Sequence, residues 1–285
     1  MKHEIVIVGG GSAGMTAALY ALQSGHTVQV VEKNMFSGQA VQVTDSAGRN
    51  HSNLSSICDE AVALAHDDQG RYVLTDSGKK LYADAVILAL GVNRRTLGLC
   101  GEKAYIGKGI YFCDMGAYSF CKGKTVCVAG HDAAAVKQAL VLAEICEKVY
   151  LLHITAELDA DPELLTAVYE SERIKVIPEA SITRLLERGR SISGIEYQET
   201  RSGFFHILAC DALFESVGID PLNQSFADSV DLDDYGYILT DEDCRTSAEG
   251  VFAAGRCRGG TQSCSAVCDG ISAAHAVCRY LAEAN

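Results

Sequence analysis

Three glycines and one acid near the start of the chain carry its most specific chemistry. Gly9, Gly11 and Gly14 fit the spacing G-x-G-x-x-G within Gly9-Gly10-Gly11-Ser12-Ala13-Gly14. They follow the apolar run Ile5-Val6-Ile7-Val8 and precede a helical stretch from Met15 to Ser24. Gly9 permits a tight turn, Gly11 lets a pyrophosphate approach the backbone, and Gly14 lets the helix pack closely on the strand. The helix N-terminus then offers N–H groups and the positive end of its dipole to phosphates. A second strand, Thr27 to Val31, ends at Glu32, 18 residues past Gly14. A carboxylate there accepts hydrogen bonds from ribose hydroxyls. Strand, glycines, helix, strand and acid in this order predict a site for an adenine dinucleotide.

Sulfur is the second candidate chemistry. The chain holds 12 cysteines, and no two of them are spaced C-x-x-C. Cys127, in a strand, and Cys146, in a helix, read as small core residues. Cys257, Cys264 and Cys268 cluster, but without a fourth ligand or a nearby histidine they do not predict a metal site. Cys264 and Cys268 stand four apart on a predicted helix and share a face.

Composition bounds the partners. An apolar share of 48% over 285 residues supports two domains with substantial cores. The formal charge of −13 argues against a nucleic-acid or anionic-membrane surface. No apolar run is long enough to span a bilayer, and the chain begins in a strand rather than a secretory pattern. A cytoplasmic protein with reduced thiols is expected.

The layout of the N-terminal unit repeats. Lys124 to Ala129 reads as a strand, Gly130 to Ala135 as a turn, Val136 to Glu147 as a helix and Val149 to His153 as the next strand. This second turn reads G-x-D-x-x-A. Asp132 stands where a pyrophosphate should meet backbone, and a carboxylate there repels phosphate. Between the units, Ala85 to Gly91 is a buried strand ending in glycine, preceded by a hairpin over Arg71–Thr75 and Lys79–Ala83. Residues 40–56 are polar and aperiodic and predict a loop. Lys175 to Ala212 alternates strands with turns. Gly250 to Gly255 is an apolar strand closing on glycine, followed by a helix from about Ser263 to Ala282.

These residues resemble the low-molecular-weight thioredoxin reductases over most of the chain. The resemblance is carried by Gly9 to Gly14, Glu32, Ser37-Gly38-Gln39, Ala89-Leu90-Gly91, Leu97-Gly98-Leu99 and Gly107-Lys108-Gly109. Lys122-Gly123-Lys124, Val217 to Pro221, Arg245-Thr246-Ser247 and Gly250 to Gly255 complete it. It implies an α/β fold of two Rossmann-like, three-layer ββα domains. The FAD domain, residues 1–107 and 216–285, is interrupted by a smaller NAD(P)-type domain at 108–215. It also implies a homodimer and FAD as cofactor. The FAD contacts would come from Gly9, Gly11, Ser12, Ala13, Gly14, Glu32, Lys33, Gly38, Gln39, Gly91, Gly255, Arg256, Gln262 and Ser263. Thr261 to Cys264 occupies the place where the family wraps the isoalloxazine edge.

Five departures bear on chemistry. The family's C-x-x-C corresponds to Cys113-Asp114-Met115-Gly116, so the flavin-facing thiol is missing. Asp132 damages the nicotinamide turn. The basic cluster that holds the 2′-phosphate of NADPH is replaced by His153-Ile154-Thr155, with His131 and His153 filling vacated ligand positions. Arg256 replaces the acid that follows Gly255, and the segment after Gln39 is shortened. The expected protein is an FAD-dependent oxidoreductase that is not driven by NADPH. Its donor or partner would be a ferredoxin-like electron-transfer protein or a dithiol/disulfide. Cys113 is the candidate catalytic thiol, with Cys121, Cys257, Cys264 or Cys268 as its partner. A non-catalytic flavin sensor and a flavin-dependent thiol oxidase are the alternatives.

Overall fold

The computed structural model describes residues 3–34, 53–112, 118–189, 191–259 and 263–283. The chain divides into two units, Met1–Asn93 with Asp220–Asn285, and Arg94–Ile219.

In the first unit β1 (His3–Val8), β2 (Val28–Glu32), β3 (Leu54–Cys58) and β6 (Lys80–Leu88) form a parallel sheet in the order β3-β2-β1-β6. A further parallel strand, β17 (Val251–Ala253), pairs with β6. β4 (Ala61–Asp67) and β5 (Gly70–Thr75) extend β6 as an antiparallel meander. The continuous apolar run of β1 is explained by burial on both faces. Ile5 and Ile7 enter one core cluster, and Val6 and Val8 enter another. Helices α1 (Ser12–Gln23) and α5 (Ser263–Glu283) cover the Ile5/Ile7 face. The small buried side chains of Ala17, Ala18 and Ala21 let α1 lie close to its neighbours. The predicted 40–56 loop is corrected at its end. Leu54 to Ser56 belong to β3, which pairs in register with β2. Tertiary pairing there overrides a weak local pattern.

The second unit holds a five-stranded parallel sheet, β11-β10-β9-β15-β8. Its strands are β8 (Ile110–Tyr111), β9 (Thr125–Ala129), β10 (Lys148–Leu152), β11 (Ile174–Ile177) and β15 (Ala212–Glu215). Helices α3 (Ala133–Ile145) and α4 (Pro162–Glu170) pack on one face. An antiparallel sheet of β12 (Ala180–Arg188), β13 (Ser191–Glu199) and β14 (Phe205–Ala209) packs on the other. This is the expected α/β arrangement in three layers. A short helix, α2 (Glu102–Tyr105), precedes β8, and β7 (Val92–Arg94) and β16 (Ile219–Pro221) form a separate two-stranded sheet. The unit boundaries differ from the expected 107/108 and 215/216. Residues 94–107 fall in the second unit because Leu97, Leu99 and Tyr105 pack into the cluster around Ile110 and Leu213. Val217 joins the same cluster, which carries the far boundary past 215.

Candidate dinucleotide site

The turn between β1 and α1 builds the site from backbone. Gly9 has φ +108°, and a Cβ there would lie 2.2 Å from the Ala89 carbonyl oxygen. A Cβ on Gly14 would lie 1.9 Å from the Gly9 carbonyl oxygen. Both positions require glycine because backbone meets backbone. Gly11 differs: nothing lies within 4 Å of a Cβ built on it. It is the N-cap of α1, in extended conformation, and no side chain caps the helix. The first-turn N–H groups therefore face open space beside an exposed backbone cradle, which fits a pyrophosphate.

Glu32 closes the other side. Its Oε2 accepts the Gly10 N–H at 2.6 Å and its Oε1 accepts the Asn34 N–H at 3.0 Å. These bonds fix the carboxylate at the end of β2 while leaving each oxygen a lone pair for a ribose hydroxyl. Two clefts, of about 370 Å³ and 440 Å³, share Glu32 and Leu90 in their walls. The first is lined by Gly11, Ser12, Ala13, Gly91, Gly255 and Arg256. The second includes Gly9 and Lys33. Together they have the size and the mix of backbone, acid and cation that a dinucleotide needs.

The expected contacts thus separate. Gly9, Gly11, Ser12, Ala13, Glu32, Lys33, Gly91, Gly255 and Arg256 come together around the two clefts. Gly14 stands behind the turn as a packing residue. Lys33 Nζ pairs with Glu60 Oε2 at 2.7 Å, so its charge is already met by a carboxylate. Gly38, Gln39, Gln262 and Cys113 lie outside the described residues, as does Gly116. Ser263 opens α5, with its side chain outside the described set.

Other residues shape the site without having been expected. Asp269, on α5, accepts the Gly255 N–H at 3.1 Å and pairs with Arg258 Nη1 at 3.3 Å, tying down the loop that carries Arg256. A Cβ on Gly270 would lie 2.4 Å from the Ala13 carbonyl oxygen, so α5 crosses α1 at backbone distance. A glycine inside a predicted helix, which costs about 1 kcal/mol, was the available signal for that crossing.

In the second unit the equivalent turn is built differently. Gly130 has φ +154°, and a Cβ there would lie 2.1 Å from the Ser216 carbonyl oxygen. Asp132 is the N-cap of α3, and its Oδ1 accepts the Ala135 N–H at 2.9 Å. A carboxylate thus occupies the helix end where a phosphate would be received. The chain after β10 folds back over this turn, with Asp159 N–H donating to the His131 carbonyl at 2.7 Å. Residues 153–161 carry Glu157, Asp159 and Asp161 and no lysine or arginine. His153 is buried, its Nδ1 3.0 Å from Thr155 Oγ1, and burial with His131 nearby holds its pKa below the usual range. His131 is exposed at the turn.

The thiols do not form one environment. Cys121 is buried, and desolvation pushes its pKa up, which disfavours the thiolate needed for exchange with Cys113. Cys257 is buried, donates to the Leu88 and Ala254 carbonyls, and is pushed up to about 11 by burial. Cys268 is exposed. Among the described residues no group of three His, Cys, Asp or Glu side chains is arranged to hold a metal ion. Nor is any helix of the described residues long and apolar enough to cross a membrane.

Known proteins share this architecture. The model of the pyridine nucleotide-disulphide oxidoreductase family matches residues 3–275. A thioredoxin reductase of Treponema pallidum is 30% identical over 98% of this chain and 97% of its own. One from Listeria monocytogenes is 29% identical over 99% and 94%. The crystal structure of thioredoxin reductase from Streptococcus pyogenes superposes with a TM-score of 0.82 at 26% identity, covering 99% of both chains. The thioredoxin reductase of Giardia duodenalis superposes equally well, 0.82 at 27% identity over 99% of this chain and 100% of its own.

Proposed function

Because the chain belongs to the pyridine nucleotide-disulphide oxidoreductase family, among the thioredoxin reductases, we propose that its electrons enter from a donor other than NADPH. Members of this family are FAD-binding flavoprotein oxidoreductases. Bound FAD supplies a two-electron carrier, and the protein's part is to bind and orient it. In this reading the α1 N–H groups and the Gly11 backbone receive the pyrophosphate and Glu32 takes the ribose. Arg256 adds a cation on the phosphate side of the cleft, where such relatives carry an acid.

The observation that carries the proposal is the Asp132 carboxylate on the Ala135 N–H. It meets the helix end from within, and a bound pyrophosphate would have to displace it against charge repulsion. The three acids of 153–161 and the absence of cations there add to the same effect. Gly116 leaves Cys113 without a C-x-x-C partner, so any thiol exchange runs through a single thiol and a second sulfur supplied elsewhere. A small electron-transfer protein of the ferredoxin class as donor, a dithiol or disulfide as the exchanging partner, and a homodimeric assembly complete the reading.

The test is an anaerobic titration of the flavin absorbance with NADPH, NADH and reduced ferredoxin. Slow bleaching by NADPH beside fast bleaching by ferredoxin is expected. Stoichiometric bleaching within seconds at micromolar NADPH would refute the proposal. Reduction by none of the three would favour a non-catalytic flavin protein.

A further inference from the structure

Two acids are buried in the second unit where no nucleotide chemistry uses them. Glu102, at the start of α2, is 4% exposed, and Glu215, at the end of β15, is 3% exposed. The Glu102 carboxylate is well provided for. It accepts the Leu97 N–H at 3.0 Å and the Gly98 N–H at 3.2 Å. Neither carboxyl oxygen of Glu215 makes a well-formed hydrogen bond; its polar neighbours are the Glu102 carboxyl and the Leu97 N–H, which Glu102 already accepts. A buried, unpartnered carboxylate is costly, and a proton removes most of that cost.

We propose that Glu102 and Glu215 form a proton-holding carboxyl pair that latches the segment entering the second unit to the segment leaving it. Leu97 and Gly98 follow the entry at residue 94, and Glu215 precedes the exit at 219. The same two segments meet through the Arg95 N–H, which donates to the Gly218 carbonyl at 3.0 Å. Protonated Glu215 is a donor, and the Glu102 carboxyl, held by two N–H groups, is the acceptor beside it.

The surrounding groups support this assignment of the proton. β9 brings Ala129 into register with Glu215, and Gly130 lies beside Ser216; neither is charged. Of the entry segment's cations, Arg94 lies over the Phe112 ring and Arg95 against Gly218, and Lys103 of α2 is exposed. Glu102 is the charged group that bears on Glu215. Burial first, and Glu102 second, push the Glu215 pKa up to about 8 from an ordinary 4.5. Between those values the folded protein holds a proton that the unfolded chain has lost. Stability therefore falls as pH rises from about 4.5 to about 8, and the loss ends above the folded value. Above it, Glu215 loses the proton that bridges it to Glu102 and the latch opens.

The test compares wild type with Glu215→Gln, which keeps a donor but cannot ionise. Urea unfolding of the intact protein from pH 5 to pH 9 is the first readout. Relative to the variant, the wild-type unfolding constant should rise about tenfold per pH unit up to about pH 8, the slope of one proton. Parallel curves would overturn the proposal. The infrared C=O stretch of protonated carboxylic acid is the second readout and needs no variant. It should be present in the wild type at pH 6.5 and lost by pH 9.5; its absence at pH 6.5 would overturn the proposal even if Glu215→Gln fails to fold.

Discussion

The two glycine turns have nearly the same backbone and opposite chemistry. Gly11 and Asp132 are both N-caps, at φ −74°, ψ −173° and φ −84°, ψ 173°. Gly9 and Gly130 each press on a carbonyl oxygen of a neighbouring strand end. The difference at the helix cap is one side chain. At Gly11 the helix end is uncapped and opens on space. At Asp132 the same end is satisfied by the protein's own carboxylate. A fold that holds a dinucleotide and a fold that merely keeps its shape can thus differ at a single cap, because a phosphate and an aspartate compete for the same N–H groups.

The sharpest way to break this comparison is to write the second turn into the first. Gly11→Asp should abolish FAD retention, read as the flavin-to-protein absorbance ratio. Unfolding of the apoprotein should change by only a few tenths of a kcal/mol, since the backbone already suits an aspartate cap and no atom obstructs its Cβ. Retained flavin would show that the cradle does not meet the pyrophosphate. Gly14→Ala tests the packing half of the motif. Its Cβ would lie 1.9 Å from the Gly9 oxygen, so the variant should lose about 3 kcal/mol in urea unfolding, the upper range for overpacking. The reverse change at the matching position, Ala135→Gly, should cost about 1 kcal/mol. Similar losses for the two would mean that the turns pack alike. The smallest effect is expected of Asp132→Ala. Loss of the cap should cost about 1 kcal/mol, and NADPH should still reduce the flavin slowly, because no cation is gained at 153–161. Rapid NADPH reduction in this variant would show that the cap alone closes the second site.

Much of the fold and of the first site could be read before any coordinates. β1 and β9 show as apolar runs because both faces of a parallel strand are buried, and the glycines mark contacts that only a missing Cβ allows. The charge partners were not legible. Lys33 was expected at the cofactor, but Glu60 meets it from the start of the meander. Asp269 reaches the Gly255 loop from α5, 14 residues along the chain. Cys121 was one candidate partner for Cys113, and its burial, which raises its pKa and disfavours the thiolate, was not legible in the sequence.

From the order of residues alone came the two repeated units, the roles of Gly9, Gly11 and Gly14, and the conflict between Asp132 and a phosphate. These are local matters of backbone sterics and of one side chain against its own helix. Tertiary structure alone decided that residues 94–107 join the second unit, that β3 extends the first sheet, and that Glu102 meets Glu215 across 113 positions of sequence. Burial and the approach of distant charges depend on how the whole unit packs, and no pattern along the chain encodes the environment in which an acid will keep its proton.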